Sequence, residues 1–287
     1  MSKAVKIVSD STLDLPEELV QQFGIEIVPL TVNFANEFFE DRLGLSSQEF
    51  FQRLVAADEL PTTSQPSVGM FKEKYLELAA EAEVIISIHL ADQLSGTYKA
   101  AYAAAQQVEQ ETETGIVVID SCSASLGLGM LVLHAARLVE NGVDLVELKA
   151  ELEKRIASTT VFFTVDTLEY LEKGGRIGKA SAFLGSLLNI KPILKLDEQG
   201  VVDSHSKVRG QKKALKKLRV LTKQALAERE VEAAPSLGII HGNNLAGAEE
   251  LKEQVADLAD WKEIVISEIS PVIGTHTGPG VLGLVVF

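Results

Sequence analysis

Residues 274–280, GTHTGPG, place a histidine between two threonines and surround them with three glycines and a proline. Thr275, His276 and Thr277 can offer hydrogen-bond donors at one spot, and glycine permits the positive φ angles that bring a backbone close to a ligand. An apolar run, VLGLVVF, follows directly and predicts a buried terminal strand. The sequence therefore predicts a polar loop beside a ligand. An ordinary tight turn before that strand is the alternative.

Hydroxyl side chains recur where predicted strands and helices meet, in the segments SDST, PTTSQPS, LSGTY and SCSAS. In an open parallel sheet, ligands lie beyond the carboxyl ends of the strands. Hydroxyl groups and helix N-termini at one such edge suit a carboxylate or a phosphate. Each segment also has a structural explanation, because Ser67 and Ser95 stand where a serine commonly caps a helix. The repetition at several junctions favours a shared oxyanion site.

The residues that could catalyse a reaction form no recognisable constellation. The sequence lacks the patterns GxSxG, HExxH, CxxC and GxxxxGK[ST]. Asp10 and Asp120 each end a predicted strand, where metal-binding or phosphotransfer aspartates can stand, but no cluster of oxygen ligands accompanies them. The single cysteine, Cys122, is expected to pack as a small apolar residue. A stand-alone phosphotransferase or hydrolase that uses Asp10, Ser121 or His276 remains an alternative.

Strands and helices alternate over the first half of the chain. The predicted strands are VKIVSD, IEIVPLTVNF, EVIISIHL and GIVVIDS, and helical patterns separate them. One of those helices begins with Ser46 and Glu49 at the spacing of a capping box. Strands separated in this way predict a parallel sheet covered by helices on both faces. The segment 126–139 is apolar nearly all round, so we expect it to be a helix buried between layers.

The pattern changes after residue 158. TTVFFTVDT is a predicted strand, and KPILKLDEQGVVDSHSKV is a predicted hairpin with its turn near residues 197–200. Three further strands, LGIIHG, EIVISEIS and VLGLVVF, follow among helices. The predicted fold class is therefore α/β with two domains, an N-terminal α/β domain at 1–158 and a C-terminal α/β domain with a mixed sheet at 159–287. The terminal strand could join either sheet.

Composition restricts the possible functions. The chain of 287 residues carries a formal net charge of −14, which argues against a general nucleic-acid-binding protein. Neither a signal peptide nor an apolar stretch of roughly twenty residues is visible in the sequence. We therefore expect a cytoplasmic protein without a metal or other cofactor.

Five segments occur in a specific order along the chain: PTTSQPS, LSGTY, LEYLEKGGRIG, SKVRGQKKAL and GTHTGPG. Together they resemble the DegV family, whose members bind fatty acids. The resemblance covers essentially the whole chain. It implies a two-domain α/β protein with a buried acyl tunnel near the domain interface and a long-chain fatty acid as its ligand. In the branch called FakB, the protein presents that fatty acid to a separate ATP-binding kinase subunit, which makes acyl phosphate for phospholipid synthesis.

The resemblance also implies roles for individual residues. Thr63, Ser95 and His276 are expected to bind the carboxylate. Arg176 and Arg209 match family arginines near the carboxylate end and the kinase-facing surface. The hydroxyl groups of Thr62 and Thr275 are expected to support the site. The apolar helix 126–139 and the segment SAFLGSLLNI, residues 181–190, are expected to form tunnel walls, with ordinary core packing as the alternative.

A basic run interrupts this acidic protein. KVRGQKKALKKLRVLTK, residues 207–223, contains eight basic residues and no acidic one. At helical spacing, lysines occupy one side and Ala214, Leu215, Leu218 and Leu221 occupy the other. A solvated helix face is one explanation; contact with an anionic membrane surface or with an acidic kinase surface is the other. A lipid-sensing regulatory protein is a further functional alternative that the sequence does not separate from a fatty-acid carrier.

Overall fold

The computed structural model describes residues 5–185, 190–229 and 233–287. The described strands are β1 (Val5–Asp10), β2 (Glu26–Val28), β3 (Thr31–Phe34), β4 (Glu37–Glu40), β5 (Thr62–Ser64), β6 (Val84–His89), β7 (Gly115–Asp120), β8 (Thr160–Thr164), β9 (Ile190–Leu196), β10 (Val202–Arg209), β11 (Ser236–His241), β12 (Glu263–Glu268) and β13 (Leu282–Val286). The described α-helices are α1 (Glu17–Gln22), α2 (Ser47–Ala56), α3 (Val68–Ala79), α4 (Thr97–Val108), α5 (Leu126–Glu140), α6 (Leu145–Ser158), α7 (Glu169–Lys173), α8 (Gln211–Glu228), α9 (Leu245–Val255) and α10 (Pro271–Thr277).

The first sheet is parallel, as the alternating pattern predicts. Its strand order is β2-β1-β6-β7, and each neighbouring pair is parallel. All six residues of β6 are buried, which is typical of a central strand covered by helices on both faces. The predicted capping box is confirmed, since Ser46 and Glu49 satisfy each other's backbone N–H groups at the start of α2.

The second sheet has the order β10-β9-β8-β13-β11-β12. The β11–β12 pair is parallel and the other described pairs are antiparallel, so this sheet is mixed, as predicted. The terminal strand β13 lies inside this sheet, between β8 and β11, which answers the question left open by the sequence. The strands of this sheet all come from residues 160–286. The proposed boundary near residue 158 stays a prediction.

A third, antiparallel sheet of three strands, β4-β3-β5, was not predicted. The segment 25–34, expected to form one strand, is divided between β2 of the parallel sheet and β3 of this small sheet. Pro29 lies at the division, where it has no N–H group for a sheet ladder. The N–H group of the next residue, Leu30, donates to Ser11 Oγ at 3.1 Å rather than to a strand.

Helix α5 lies between the two large sheets, as its apolar sequence predicts. It packs against β1 and β6 of the first sheet and against β11 of the second. Ten of its residues are buried. A helix that packs against a sheet on each side buries most of its surface, and this explains why its sequence is apolar nearly all round.

The hairpin and the basic helix follow the predicted pattern. The β9–β10 turn is closed by a bond of 2.9 Å from the Gly200 N–H to the Asp197 carbonyl oxygen. In α8, Ala214, Leu215 and Leu218 are buried, whereas the lysines lie mostly at the surface. Among the described residues, no helix combines the length and the apolar character needed to cross a membrane.

Candidate functional site

The segment GTHT, predicted as a loop, forms the end of a helix, so that prediction was wrong for residues 274–277. Helix α10 begins with Pro271 at its first turn and ends at Gly278, whose φ is +74°. The hydroxyl groups of Thr275 and Thr277 donate to the carbonyl oxygens of Pro271 and Ile273, at 2.9 and 3.0 Å. These bonds satisfy the threonine side chains within the helix.

Helix α10 places His276 beside Thr63 of β5. The distance between His276 Nε2 and Thr63 Oγ1 is 2.9 Å, although the two residues lie 213 positions apart in the sequence. The contact depends on the small third sheet, because β5 is its edge strand and α10 packs against β3 and β5. The structure thus brings together the histidine and the threonine that the resemblance selected.

Two glycines of the quoted segments make this packing possible. A Cβ atom at Gly174, in GGRIG, would lie 2.3 Å from His276 Nδ1. A Cβ atom at Gly96, in LSGTY, would lie 2.2 Å from Gln65 Oε1, and the Gln65 amide donates to the Gly96 carbonyl oxygen at 3.2 Å. At Gly174 a side chain would displace the His276 ring, and at Gly96 it would displace the end of the Gln65 side chain, so glycine at each position lets these segments lie against one another as they do.

Ser95 lies immediately before helix α4 but does not cap it. The helix has Gly96 at its N-cap, without a side-chain cap bond, and Ser95 Oγ lies 2.9 Å from Thr97 Oγ1. Ser67, in contrast, does cap α3, accepting from the Met70 N–H at 3.2 Å. The capping explanation therefore holds for Ser67 and fails for Ser95.

Arg176 lies just beyond α7 and links this helix end to the loop before α4. Its Nε donates to the Leu94 carbonyl oxygen at 3.1 Å, and its Nη1 donates to the Gly174 carbonyl oxygen at 2.9 Å. The side chain is half-buried beside His276. Burial first, and the nearby guanidinium second, lower the pKa of His276 to about 4, so its imidazole is neutral at neutral pH.

Thr63, Ser95, Arg176 and His276 all line one cavity of about 380 Å³. Other polar residues of the lining include Gln65 and Thr277. Its apolar wall takes residues from the neighbourhood of both large sheets, including Leu30, Leu90, Leu94, Val161, Phe163 and Ile240. The cavity therefore combines hydrogen-bonding side chains with an extended apolar wall. Sequence reasoning missed Gln65, although it stands inside a quoted segment, whereas Thr277 belongs to the polar segment predicted to lie beside a ligand.

The helix expected to form a tunnel wall is absent from the described lining of the cavity. The described lining includes Ala124 and Ser125, which precede α5, but none of residues 126–139. The side chains of α5 belong instead to the core between the sheets. For the second predicted wall, residues 186–189 of the segment 181–190 lie outside the described residues, so that part stays a prediction.

Three predicted residues lie outside the described lining of the cavity. Thr62 lies on β5, where its hydroxyl accepts from Asn33 Nδ2 at 3.4 Å. Thr62 and Thr275 border a smaller neighbouring pocket of about 160 Å³, which shares Thr63, Arg176 and His276 with the cavity. Arg209 is exposed at the end of β10. A direct role in the cavity is therefore not supported for Thr62, Thr275 or Arg209.

A second histidine, which the sequence analysis did not select, forms a fully buried relay. Ser87 Oγ lies 2.7 Å from His89 Nε2, and His89 Nδ1 lies 3.1 Å from Asp10 Oδ2. The order of groups resembles a Ser-His-Asp triad. However, all three residues are 0% exposed, and Tyr75 donates to the serine oxygen at 2.7 Å. The serine is thus closed to substrate, and the relay satisfies polar groups inside the first sheet.

The other candidate catalytic residues also have structural partners. Asp120 accepts from the N–H groups of Asp92 and Cys122, and the Ser121 hydroxyl donates to the Ser123 carbonyl oxygen. Cys122 is half-buried, and burial raises the pKa of its thiol. Within the part of the chain that the structure describes, no group of three or more histidine, cysteine or acidic residues could hold a metal ion.

Comparison with known proteins identifies the family to which the chain belongs. The model of the DegV family matches residues 4–287 of the chain. The chain belongs to the DegV family. A DegV domain-containing protein of Halalkalibacterium halodurans is 39% identical over 284 residues, which cover 98% of this chain and 97% of the relative.

Solved structures of similar proteins have the same fold. A DegV family protein of Thermus thermophilus, described by its fatty-acid binding, has a TM-score of 0.92 and 37% identity, and the match covers 99% of each chain. A stearic-acid-binding protein of Eubacterium ventriosum has a TM-score of 0.89 and 27% identity, and the match covers 98% of this chain and 97% of the other. Both matches span the two large sheets together with the cavity between them.

Proposed function

We propose that this protein binds a long-chain fatty acid in the cavity and holds its carboxylate at the polar end. The observation that carries the proposal is the convergence of Thr63, Ser95, His276 and Arg176 on one cavity with an apolar wall. DegV relatives described as fatty-acid-binding proteins support the same assignment.

The polar end suits a buried carboxylate. A carboxylate taken out of water must have its oxygen lone pairs satisfied. The hydroxyl groups of Thr63 and Ser95 can donate to it, and the neighbouring Arg176 guanidinium supplies positive charge. His276 lies at hydrogen-bonding distance from Thr63, so its imidazole can fix the direction of the threonine hydroxyl or donate to the ligand.

The apolar wall supplies most of the binding free energy. Each methylene group removed from water contributes roughly 0.8 kcal/mol, so an acyl chain gains affinity with every group it buries. The lining includes Leu90, Val161, Phe163 and Ile240, whose side chains carry no hydrogen-bonding group. An aliphatic chain can therefore pack against them without burying an unpaired polar atom. Chain length is then limited by the shape of this wall rather than by the polar end.

The proposal also includes a partner protein that receives the bound fatty acid. The protein presents its fatty acid to a separate ATP-binding kinase subunit in the cytoplasm, which forms the acyl phosphate. The smaller pocket beside His276 supports this reading, because Lys173 and Arg176 border it and basic groups favour an approaching phosphate. Arg209 and the lysines of α8 provide a basic surface for that kinase or, transiently, for an anionic membrane.

Native mass spectrometry of the purified protein, followed by solvent extraction, tests the binding proposal. We expect a stoichiometric adduct of roughly 250–290 Da that extracts as a free fatty acid, because burial of a long chain makes its release slow. A protein that is empty and also fails to take up added fatty acid would overturn the proposal. Addition of the kinase subunit and ATP then tests presentation: formation of acyl phosphate is expected, and Arg209→Ala is expected to reduce its rate without changing fatty-acid affinity.

A further inference from the structure

The second sheet forms one side of the cavity proposed for the fatty acid. Its strands β8, β9, β10 and β11 contribute lining side chains, among them Phe163 on β8 and Ile240 on β11. Strand β13 lies between β8 and β11, and its residue Gly283 is paired with both Phe163 and Ile240. Paired residues of neighbouring antiparallel strands place their side chains on the same face of a sheet. Gly283 therefore lies between two lining residues, on the face that borders the cavity.

Glycine is an unexpected residue at this position. Strand β13 is buried along its whole length, and its other residues are leucine or valine. The φ angle of Gly283 lies outside the left-handed region, so the conformation of the backbone does not require glycine. A glycine in the interior of a strand weakens that strand, and it often marks a place where another group approaches closely. Space, rather than backbone geometry, must therefore account for Gly283.

The side chain of Ile240 takes the space that a side chain at position 283 would need. A Cβ atom there would lie 2.9 Å from Ile240 Cγ1, 3.0 Å from Ile240 Cδ1 and 2.9 Å from Phe163 Cβ. Carbon atoms in contact stand about 3.5–4.0 Å apart, so a neighbour would have to move. Phe163 Cβ is attached directly to its own strand, whereas the end of the Ile240 side chain can rotate. Because Ile240 also lines the cavity, its movement away from position 283 would take up cavity volume.

A second glycine of the same sheet, Gly238 on β11, has different neighbours. A Cβ atom there would lie 3.0 Å from Met130 Sδ and 3.3 Å from Leu126 Cβ, and both residues belong to α5. Neither Met130 nor Leu126 is part of the described lining of the cavity. Gly238 therefore provides room for the packing of α5, whereas Gly283 provides room beside the cavity.

We propose that Gly283 sets the length of the acyl chain that the cavity accepts, by allowing Ile240 to lie close to the sheet. This assignment rests on the fatty-acid function proposed above. In a cavity of about 380 Å³, a carbon atom added to the wall takes the room of about one methylene group of the ligand. A methylene group that loses its place in the cavity corresponds to roughly a fourfold increase in Kd. The effect is confined to acyl chains long enough to fill the cavity.

Displacement of a fluorescent fatty acid from the full-length protein by saturated fatty acids tests the assignment. The measured quantity is the ratio of the Kd for octadecanoic acid to the Kd for tetradecanoic acid. Gly283→Ala should raise this ratio roughly fourfold, because only the longer chain loses a buried methylene group. Gly238→Ala is the matched control: its added methyl group meets α5, so the ratio should stay at the wild-type value even if stability falls. An unchanged ratio in Gly283→Ala, or an equal increase in both Kd values, would overturn the assignment.

A second variant, Ile240→Val, keeps the test decisive if Gly283→Ala folds poorly. It removes the Cδ1 atom and adds nothing to the strand, so the ratio should fall below the wild-type value. The double variant with Gly283→Ala and Ile240→Val conserves the number of carbon atoms and should restore the ratio. A ratio that does not fall in Ile240→Val would contradict the assignment. Failure of the wild type to bind either acid would overturn the proposed function as well, whereas normal wild-type binding with unchanged ratios in the variants would overturn this assignment alone.

Discussion

The imidazole of His276 occupies the space that a side chain at position 174 would need. Gly174 has a φ of −75°, so its backbone conformation is open to any residue, and glycine is required by two close neighbours, His276 Nδ1 and the Tyr170 carbonyl oxygen, 2.3 and 2.8 Å from a Cβ atom. This packing explains at the level of atoms why GGRIG and GTHTGPG occur together in the sequence. The glycine helps to shape the proposed fatty-acid site even though it offers no side chain to a ligand.

Gly174→Ala is therefore expected to displace His276 and to weaken fatty-acid binding. Loss of one bond to a carboxylate corresponds to about 1.5–3 kcal/mol, or roughly a 10- to 150-fold increase in Kd, measurable by fluorescent fatty-acid titration. Gly115→Ala is the matched control, because a Cβ atom there has no neighbour within 4 Å and the residue lies outside the described lining of the cavity. An unchanged Kd in Gly174→Ala would show that His276 does not help to hold the carboxylate.

The site residues differ in how well the sequence predicts them. Thr63 and His276 came from the order of the quoted segments, and the structure brings them within a hydrogen bond of each other. Thr275 came from the same segment but bonds to its own helix, because a threonine inside a helix can donate to the carbonyl four residues earlier. The helical conformation of residues 274–277 thus gives the Thr275 hydroxyl a partner in its own helix, and its supporting role at the site stays a prediction.

Helix α10 is anchored at its N-terminal end by two buried carboxyl groups. Asp14 Oδ1 accepts from the Ser270 N–H at 2.9 Å, and Asp41 Oδ1 accepts from the Val272 N–H at 3.1 Å. These bonds satisfy N–H groups that have no partner within the helix. The opposite end of the helix carries His276, so the position of this imidazole depends on the anchor.

The anchor predicts a pH-dependent effect of Asp41→Asn on stability. The pKa of Asp41 is raised by burial from 3.8 to about 7, so the folded protein keeps a proton that the unfolded chain loses. The resulting stabilisation is complete below about pH 4 and is lost as pH rises through 7. Between pH 5 and pH 8, asparagine should gain about 3 kcal/mol of unfolding free energy relative to aspartate. Urea unfolding at both pH values checks this, and a constant difference would mean that Asp41 titrates normally.

Helix α8 presents basic residues to solvent, and vesicle binding tests whether these residues contact an anionic membrane. Lys212, Lys213 and Lys216 are exposed. Near an anionic bilayer each lysine strengthens attraction roughly fivefold, so the triple change to glutamate should remove most binding to phosphatidylserine vesicles at low salt. Cosedimentation measures this, with a triple change to arginine as the charge-conserving control. Equal binding of both variants at every salt concentration would exclude membrane contact through α8.

At the level of elements, long periodic segments were predictable and short ones were not. The central strand β6 and helix α5 are strongly apolar, and tertiary packing reinforces what their sequences favour. The strands β4 and β5 have only four and three residues, and β4 is mostly exposed, so neither has an apolar pattern to detect. Yet β5 carries Thr63, which means that the element most important for the site was the hardest to predict.

At the scale of the whole molecule, helix α10 connects two separate cavities. His276 at its end borders the cavity proposed for the fatty acid, and Ser270 before its start borders a cleft of about 680 Å³. Two residues of the cavity lining are also bonded to the acidic anchor: the Val272 N–H donates to Asp41, and the Ser125 hydroxyl donates to Asp14. A change in the charge of Asp41 therefore acts on a helix that also lines the cavity.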